Sequence, residues 1–318
     1  MSIKLISKHR SELMAIALIW VAFYHSRFPI DNKLISLLLV KSGYGGVSLF
    51  LFLSGFSMYY SYKKDNNYLS FIKKRFLRIT PFCIFLIPLY MLIKNNTFLD
   101  ACLNAFGIYW ILGISGVNWF TPLILILYIF TPIYLRRFNN NETVVTVISM
   151  FLVITVTALI KNDNWVYGIT NICLYLLGIY FAYLNENDVK LSYLLVCISF
   201  LSGWILLYLM LHYYRNDVQH VYPMILITPS MLLILSAIIE KIPLIQKPLR
   251  HLGSLSYQFY LLHELVITVL YNNYATLYRP NINFDWLINF IAFLFTLMLS
   301  LVYKFLIDDL IKVMIKRS

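Results

Sequence analysis

At 318 residues the chain could hold two soluble domains, but 60% of it is hydrophobic and only 13% is charged, where a soluble globule carries about 25% charged residues. With a mean hydropathy of +0.74, the composition excludes a water-soluble fold and predicts an all-α integral membrane protein. The net charge of +12 is spread in short clusters between apolar runs rather than along one polar face, which argues against nucleic-acid binding and for Lys and Arg gathered in cytoplasmic loops.

The N-terminus has basic residues and then an apolar run, yet no small-residue cleavage site follows Phe28, so a retained first span is expected rather than a signal peptide. Runs long enough to cross a hydrocarbon core of about 30 Å recur at 13–29, 44–62, 76–94, 119–135, 143–160, 165–184, 191–212, 221–239, 252–273 and 284–307. They predict one bundle of about ten transmembrane helices and a single transmembrane domain over 1–318. The run from Leu99 to Ser115 is short and carries Asn104, Gly107 and Gly113, so it reads as a non-crossing, re-entrant or interfacial piece. Ten crossings put Lys4, Lys8 and Arg10, the cluster Lys63 to Arg78, Arg136 and Arg137, Lys241, Lys247 and Arg250, and Lys312, Lys316 and Arg317 on one side. An eleventh crossing would divide them. Both termini are therefore expected to be cytoplasmic, with His25 toward the outer half of the bilayer. Cys83, Cys102, Cys173 and Cys197 show no C-x-x-C and no His spacing suited to zinc, so they read as core residues, and no metal is expected.

Polar chemistry concentrates in four places. The first span carries Arg10, Glu12 and His25. An ionisable side chain in a membrane segment is costly and by default a functional candidate. A neutral imidazole, with an ordinary pKa of about 6.5, can take a proton from a hydroxyl, although Arg10 and Glu12 can equally be interfacial charges. Before the third span comes K-K-R-F-L-R-I-T-P, Lys73 to Pro81. If helical, it sets Arg75 and Arg78 three residues apart on one face, where two guanidinium forks suit phosphate or an anionic lipid headgroup. The ninth span opens on Ser254, Ser256, Tyr257, Gln258 and Tyr260 and holds His263 and Glu264 deeper in. Adjacent helical residues point about 100° apart, so those two should have different partners. The fourth place is G-Y-G-G-V-S-L-F-L-F-L-S-G, Gly43 to Gly55, whose small residues suit close helix packing; no phosphate-binding G-x-x-x-x-G-K-[ST] is present.

The chain resembles the membrane acyltransferase-3 family, in its stand-alone form without a soluble esterase-like domain. The resemblance rests on F-Y-H ending the first span at His25, Gly45 to Gly55, R-F-L-R-I-T-P at Arg75 to Pro81, N-W-F at Asn118 to Phe120, and L-G-S-L-S-Y-Q-F-Y-L-L-H at Leu252 to His263. These pieces occur in this order over nearly the full length. The resemblance implies transfer of an acyl group, commonly acetyl from acetyl-CoA, to a hydroxyl of a sugar or cell-surface glycan at the extracytoplasmic side. His25 is then the catalytic residue, with Glu12 and Arg10 in support, and Arg75 and Arg78, with Lys74 beside them, hold the coenzyme A end. His263, Glu264, Ser256, Tyr257 and Trp119 are expected on the acceptor side or in support of the site. In one departure, the position eleven residues before the His, basic in many members, is Met14, and Arg10 is the nearest cation one turn earlier. The expected partners are membrane lipid and a carbohydrate or glycolipid acceptor, met by the loops Asn95–Trp119, His212–His220 and Asn272–Asp285. The expected setting is a bacterial inner (plasma) membrane, crossed many times. A transporter or flippase of an anionic glycan or lipid is the alternative, its buried charges lining a path.

Overall fold

The computed structural model describes the chain except for residues 27–29, 31, 66, 115, 117, 139–140, 214–220, 278–281 and 317–318, and describes no side chains at 33, 272–277, 282–284 and 308–316. Most of the expected acceptor loops His212–His220 and Asn272–Asp285, and the side chains of Lys312, Lys316 and Arg317, therefore lie outside the described residues. In chain order the helices are α1 (Lys4–Lys8), α2 (Arg10–His25), α3 (Lys33–Ile35, running into a π-helical stretch Ser36–Lys41), α4 (Gly45–Lys64), α5 (Tyr68–Lys94), α6 (Phe98–Ala105), α7 (Ile108–Ile111) and α8 (Phe120–Arg136). There follow α9 (Glu142–Leu159), α10 (Asp163–Thr170), α11 (Ile172–Glu186), α12 (Tyr193–Tyr213), α13 (Met224–Lys241), α14 (Pro243–Gly253), α15 (Ser256–Leu277) and α16 (Ile282–Lys316). No strand forms among the described residues; a single bridge joins Ser2 to Lys190.

Among the described residues six segments are long and apolar enough to cross a membrane: α5, α9, the joined α10 and α11 (Asp163–Glu186), α12, α13 and Asp285–Ile307 of α16, with the shorter α8 also apolar. The other long helices, α2, α4 and α15, carry more polar side chains, and their surroundings explain why they can. Fourteen of the twenty residues of α4 are buried within the protein. By contrast α12 buries only Val196, Gly203 and Leu207 and turns Leu194, Leu195, Ile198, Leu201 and Ile205 outward. A helix wrapped by other helices has no lipid to satisfy, whereas an outer helix must present apolar surface all along its exposed face. Backbones approach closely at the centre. A Cβ on Gly55 would strike the Tyr175 carbonyl, one on Gly178 the Phe52 carbonyl, and one on Gly253 the Ser11 carbonyl, so α4 with α11, and α14 with α2, pack through small residues.

One end of the bundle collects the basic clusters. There Lys4 pairs with Asp188 at 2.6 Å, Lys8 with Glu240 at 2.7 Å and Arg250 with Glu12 at 2.8 Å, while Lys63 pairs with Glu186. At the opposite end, α6 and α7 fold over the start of α8. Eight residues make α6 about 12 Å long, too short to cross, and Asn118 Nδ2 donates to the Ala105 carbonyl at 2.7 Å. Trp110 and Trp165 fasten this turn to α10: Trp110 Nε1 donates to the Asn164 carbonyl and Trp165 Nε1 to the Trp110 carbonyl, each at 2.7 Å.

Candidate active site

At the basic end the site begins with a polar stripe on α4. Ser54, Ser57 and Ser61 recur at helical spacing and so share one face. The Asn67 side chain accepts from Ser70 N at 3.0 Å and starts α5. Arg75 and Arg78 therefore fall about two and three turns into a continuous helix, on the side facing that stripe. Arg75 Nη2 donates to Ser61 Oγ and Arg10 Nη1 to Ser57 Oγ at 2.8 Å, and the Tyr128 hydroxyl of α8 lies against Ser54. The three guanidiniums and Tyr128 lie within electrostatic reach of one another, and Arg75 stands 5.3 Å over the Phe71 ring. Among the described residues no carboxylate pairs with Arg10, Arg75 or Arg78, and the buried Nε of Arg75 has no hydrogen-bond partner. Three cations held together without a counter-charge make a site for an anion.

Lys74 differs from the arginines. Its Nζ lies 2.6 Å from Asp65, which also accepts from Ser70 Oγ at 2.7 Å. The ammonium and then the hydroxyl hold the Asp65 carboxyl below the usual carboxylate range. Ser61, Lys64, Asp65, Phe71, Lys74 and Arg75 line a cavity of about 310 Å³.

The far end holds two imidazoles. His25 closes α2 and is half-buried, and His263, two turns into α15, is 4% exposed. Their ring centroids are 4.8 Å apart at 72°. His263 Nδ1 bonds the Tyr260 carbonyl. A carbonyl only accepts, so Nδ1 carries the proton and Nε2 keeps a bare lone pair. That Nε2 is buried without a partner. Aromatic rings surround the pair: Tyr24 stands 5.1 Å from His25, Phe120 stands 5.0 Å from Tyr260, and Trp119, at the start of α8, stands 4.9 Å from Tyr167. Tyr167 in turn lies within electrostatic reach of Tyr24, Tyr44 and Tyr260.

The residues expected from the sequence thus divide between two ends. Arg10 and Glu12, expected in support of His25, lie fifteen and thirteen residues before it on the same helix, about 22 and 20 Å away at 1.5 Å per residue. Arg10 joins Arg75 and Arg78. Glu12 is buried and accepts from Arg250 Nη2 at 2.8 Å and Nε at 3.2 Å, with His9 Nδ1 at 3.5 Å, so it ties α2 to α14. Glu264, on a different face from His263, is coupled electrostatically to Tyr90, Tyr260 and Lys94. The Tyr257 hydroxyl sits 3.4 Å from Thr121 Oγ1 and 3.9 Å from Cys83 Sγ. Ser256 opens α15 and shows no side-chain hydrogen bond among the described residues. Sequence reasoning passed over Tyr128, Tyr167, Arg250 as an anchor, and the serine stripe. Only the stripe had a signal, three hydroxyls at helical spacing in an apolar run. Among the described residues no three His, Cys, Asp or Glu side chains gather as metal ligands.

Comparison with known proteins found no match among curated proteins and none among solved structures. A family model described as an acyltransferase domain matches residues 13–305, which takes in the serine stripe, Arg75, Arg78 and both imidazoles and leaves Arg10 and Glu12 just outside. With the match running from the first turn of α2 into α16 over nearly the whole chain, this multi-pass membrane protein belongs to the membrane acyltransferase-3 family.

Proposed function

We propose that the chain is a membrane O-acyltransferase that moves an acyl group, acetyl in the first instance, from acetyl-CoA to a hydroxyl of a sugar or cell-surface glycan. The observation that carries this reading is the division of the site between two ends of α2, with unpaired arginines at one and an accessible imidazole at the other. Coenzyme A is a polyanion with a long linear arm, and the partnerless Nε of Arg75 and the lack of any carboxylate beside Arg10, Arg75 and Arg78 among the described residues suit its phosphates. With both termini and the basic end cytoplasmic, as in the inner membrane of a bacterium, the donor enters from its own compartment, and His25 faces an acceptor on the other side.

When bound, acetyl-CoA supplies an activated thioester carbonyl. Arg75, Arg78 and Arg10 hold the phosphates, and Lys74 enters once released from Asp65. His25 takes the proton of the acceptor hydroxyl as its oxygen forms the ester bond, and gives it to the departing thiolate as the C–S bond breaks. The rings of Trp119, Tyr167 and Tyr24 suit stacking against a sugar face.

The test is made on purified protein in nanodiscs and on cells. Saturable binding of radiolabelled acetyl-CoA is expected, weakened on the order of 100-fold in the Arg75→Ala/Arg78→Ala variant. His25→Ala should keep that binding and lose acetyl ester from surface glycans, read by mass spectrometry. Full ester content with folded His25→Ala would overturn the mechanism. A folded wild type that binds no acetyl-CoA would turn the reading to transport of an anionic glycan or lipid.

A further inference from the structure

We infer that His263 is a positioning residue, whose bare Nε2 accepts a hydrogen bond from one ring N–H of His25 and so leaves the other nitrogen of His25 free to act as the base. The inference rests on the proposed role of His25 and adds a second imidazole to it.

Three observations carry it. The tautomer of His263 is set by the backbone: the Tyr260 carbonyl occupies Nδ1, one turn earlier on the same helix, and takes its proton. The nitrogen left over is a buried acceptor without a partner. Leaving such a group unsatisfied forfeits its hydration without return, and a leucine would fill the space without that cost. The ring next to it is His25, at 4.8 Å between centroids. Among the described residues His25 has ring contacts to Tyr24 and His263 and no hydrogen bond. The χ2 angle of histidine is broad, so the half-buried His25 ring, in edge contact with His263, can turn an N–H toward that lone pair.

The chemistry needs such a partner. A neutral imidazole has one protonated and one bare nitrogen, and only the bare one can accept a proton. With no neighbour to choose, His25 divides its time between two tautomers and two ring orientations. An acceptor behind it fixes one N–H inward and turns the lone pair toward the acceptor hydroxyl, as a carboxylate does for the histidine of a serine hydrolase. Here the group behind is a neutral imidazole, so the pair has no buried charge at rest. Glu264 cannot serve, because it lies on another face of α15, with Tyr90 and Lys94.

The experiment compares His263→Leu, His263→Gln, His25→Ala and the His25→Ala/His263→Leu double variant. Each is purified and checked for folding by size exclusion and acetyl-CoA binding. Initial rates are read with radiolabelled acetyl-CoA and membranes from gene-deleted cells as the acceptor. His263→Leu should slow transfer on the order of 100-fold, as loss of a base's orientation does, with the KM for acetyl-CoA within about twofold of wild type. His263→Gln, whose side-chain carbonyl restores an acceptor, should recover about tenfold of that loss. The double variant should be no slower than His25→Ala, because residues acting as a unit are not additive. In ¹⁵N-histidine spectra of the wild-type protein, which has six histidines, the signals lost in His25→Ala should report a single tautomer. Wild-type rates in His263→Leu while His25→Ala is inactive would overturn this inference alone; full activity of His25→Ala would overturn the proposed role of His25. Should His263→Leu not fold, the wild-type spectra decide: two exchanging His25 tautomers refute the pairing, and one supports it.

Discussion

Replacing Arg250 by Ala and, separately, Glu12 by Gln perturbs one ion pair from two unequally covered sides. The Glu12 side chain is 1% exposed and that of Arg250 is 59% exposed, joined by bonds of 2.8 and 3.2 Å. Arg250→Ala strands a carboxylate in the interior. Breaking a buried pair in this way costs 3–5 kcal/mol, and the open side of this one puts the figure near the bottom, at about 3 kcal/mol. Glu12→Gln strands nothing: the amide oxygen can still accept, and the guanidinium can turn to water, so about 1 kcal/mol is expected. A gap of about 2 kcal/mol is about a 30-fold difference in the unfolding equilibrium. Equilibrium unfolding in mixed micelles, driven by sodium dodecyl sulfate, measures both variants. Equal losses, or a larger one for Glu12→Gln, would refute the reasoning. Because Glu12 lies about 20 Å from His25 along α2, the folded Glu12→Gln protein should also retain the wild-type rate of transfer.

Gly178→Val should abolish folded protein in detergent extracts, since its Cβ would press on the Phe52 carbonyl where α4 and α11 touch, and normal yield would mean that the two helices can part. Asp65→Asn frees Lys74 beside Arg75 and should lower the KM for acetyl-CoA several-fold, with an unchanged or raised KM counting against the lysine. The Asp65 carboxyl is held low by Lys74 and Ser70, so its contribution is present above the ordinary aspartate value of about 3.9 and is lost as pH falls through the depressed one. The KM ratio of variant to wild type should therefore stay flat between about pH 5 and 8, and a ratio that drifts over that range refutes the pairing.

Much of this was legible in the sequence because the governing signals are local. Apolar runs mark helices whether or not their neighbours are known. The basic clusters sort to one end because charge does not cross the bilayer core, and Gly55 marked a close helix contact because only a small residue permits one. Arg75 and Arg78 share a face by spacing alone. Partners across the bundle were harder to see. Arg10 and Glu12 stand near His25 in sequence, but a straight helix carries them about 20 Å away, to Ser57 in one case and Arg250 in the other. Nothing local says that His263, rather than Glu264, faces His25, or that Tyr128 completes the arginine cluster from α8. These depend on how helices rotate against each other, which follows from packing around Gly55, Gly178 and Gly253 rather than from any residue of the site.

The contact between Glu12 and Arg250 joins residues 238 apart in sequence, and His25 and His263 are separated by the same number. α2 therefore runs parallel to α14 and α15 with a constant offset, thirteen residues from one contact to the other on each strand of chain. Slippage by one helical turn at the ionic end would carry the imidazoles about 5.4 Å out of alignment. The ion pair at the basic end of the bundle is in this sense a registration mark for the two imidazoles near the opposite end. A change that lets α14 slide along α2 would silence the histidines without touching them.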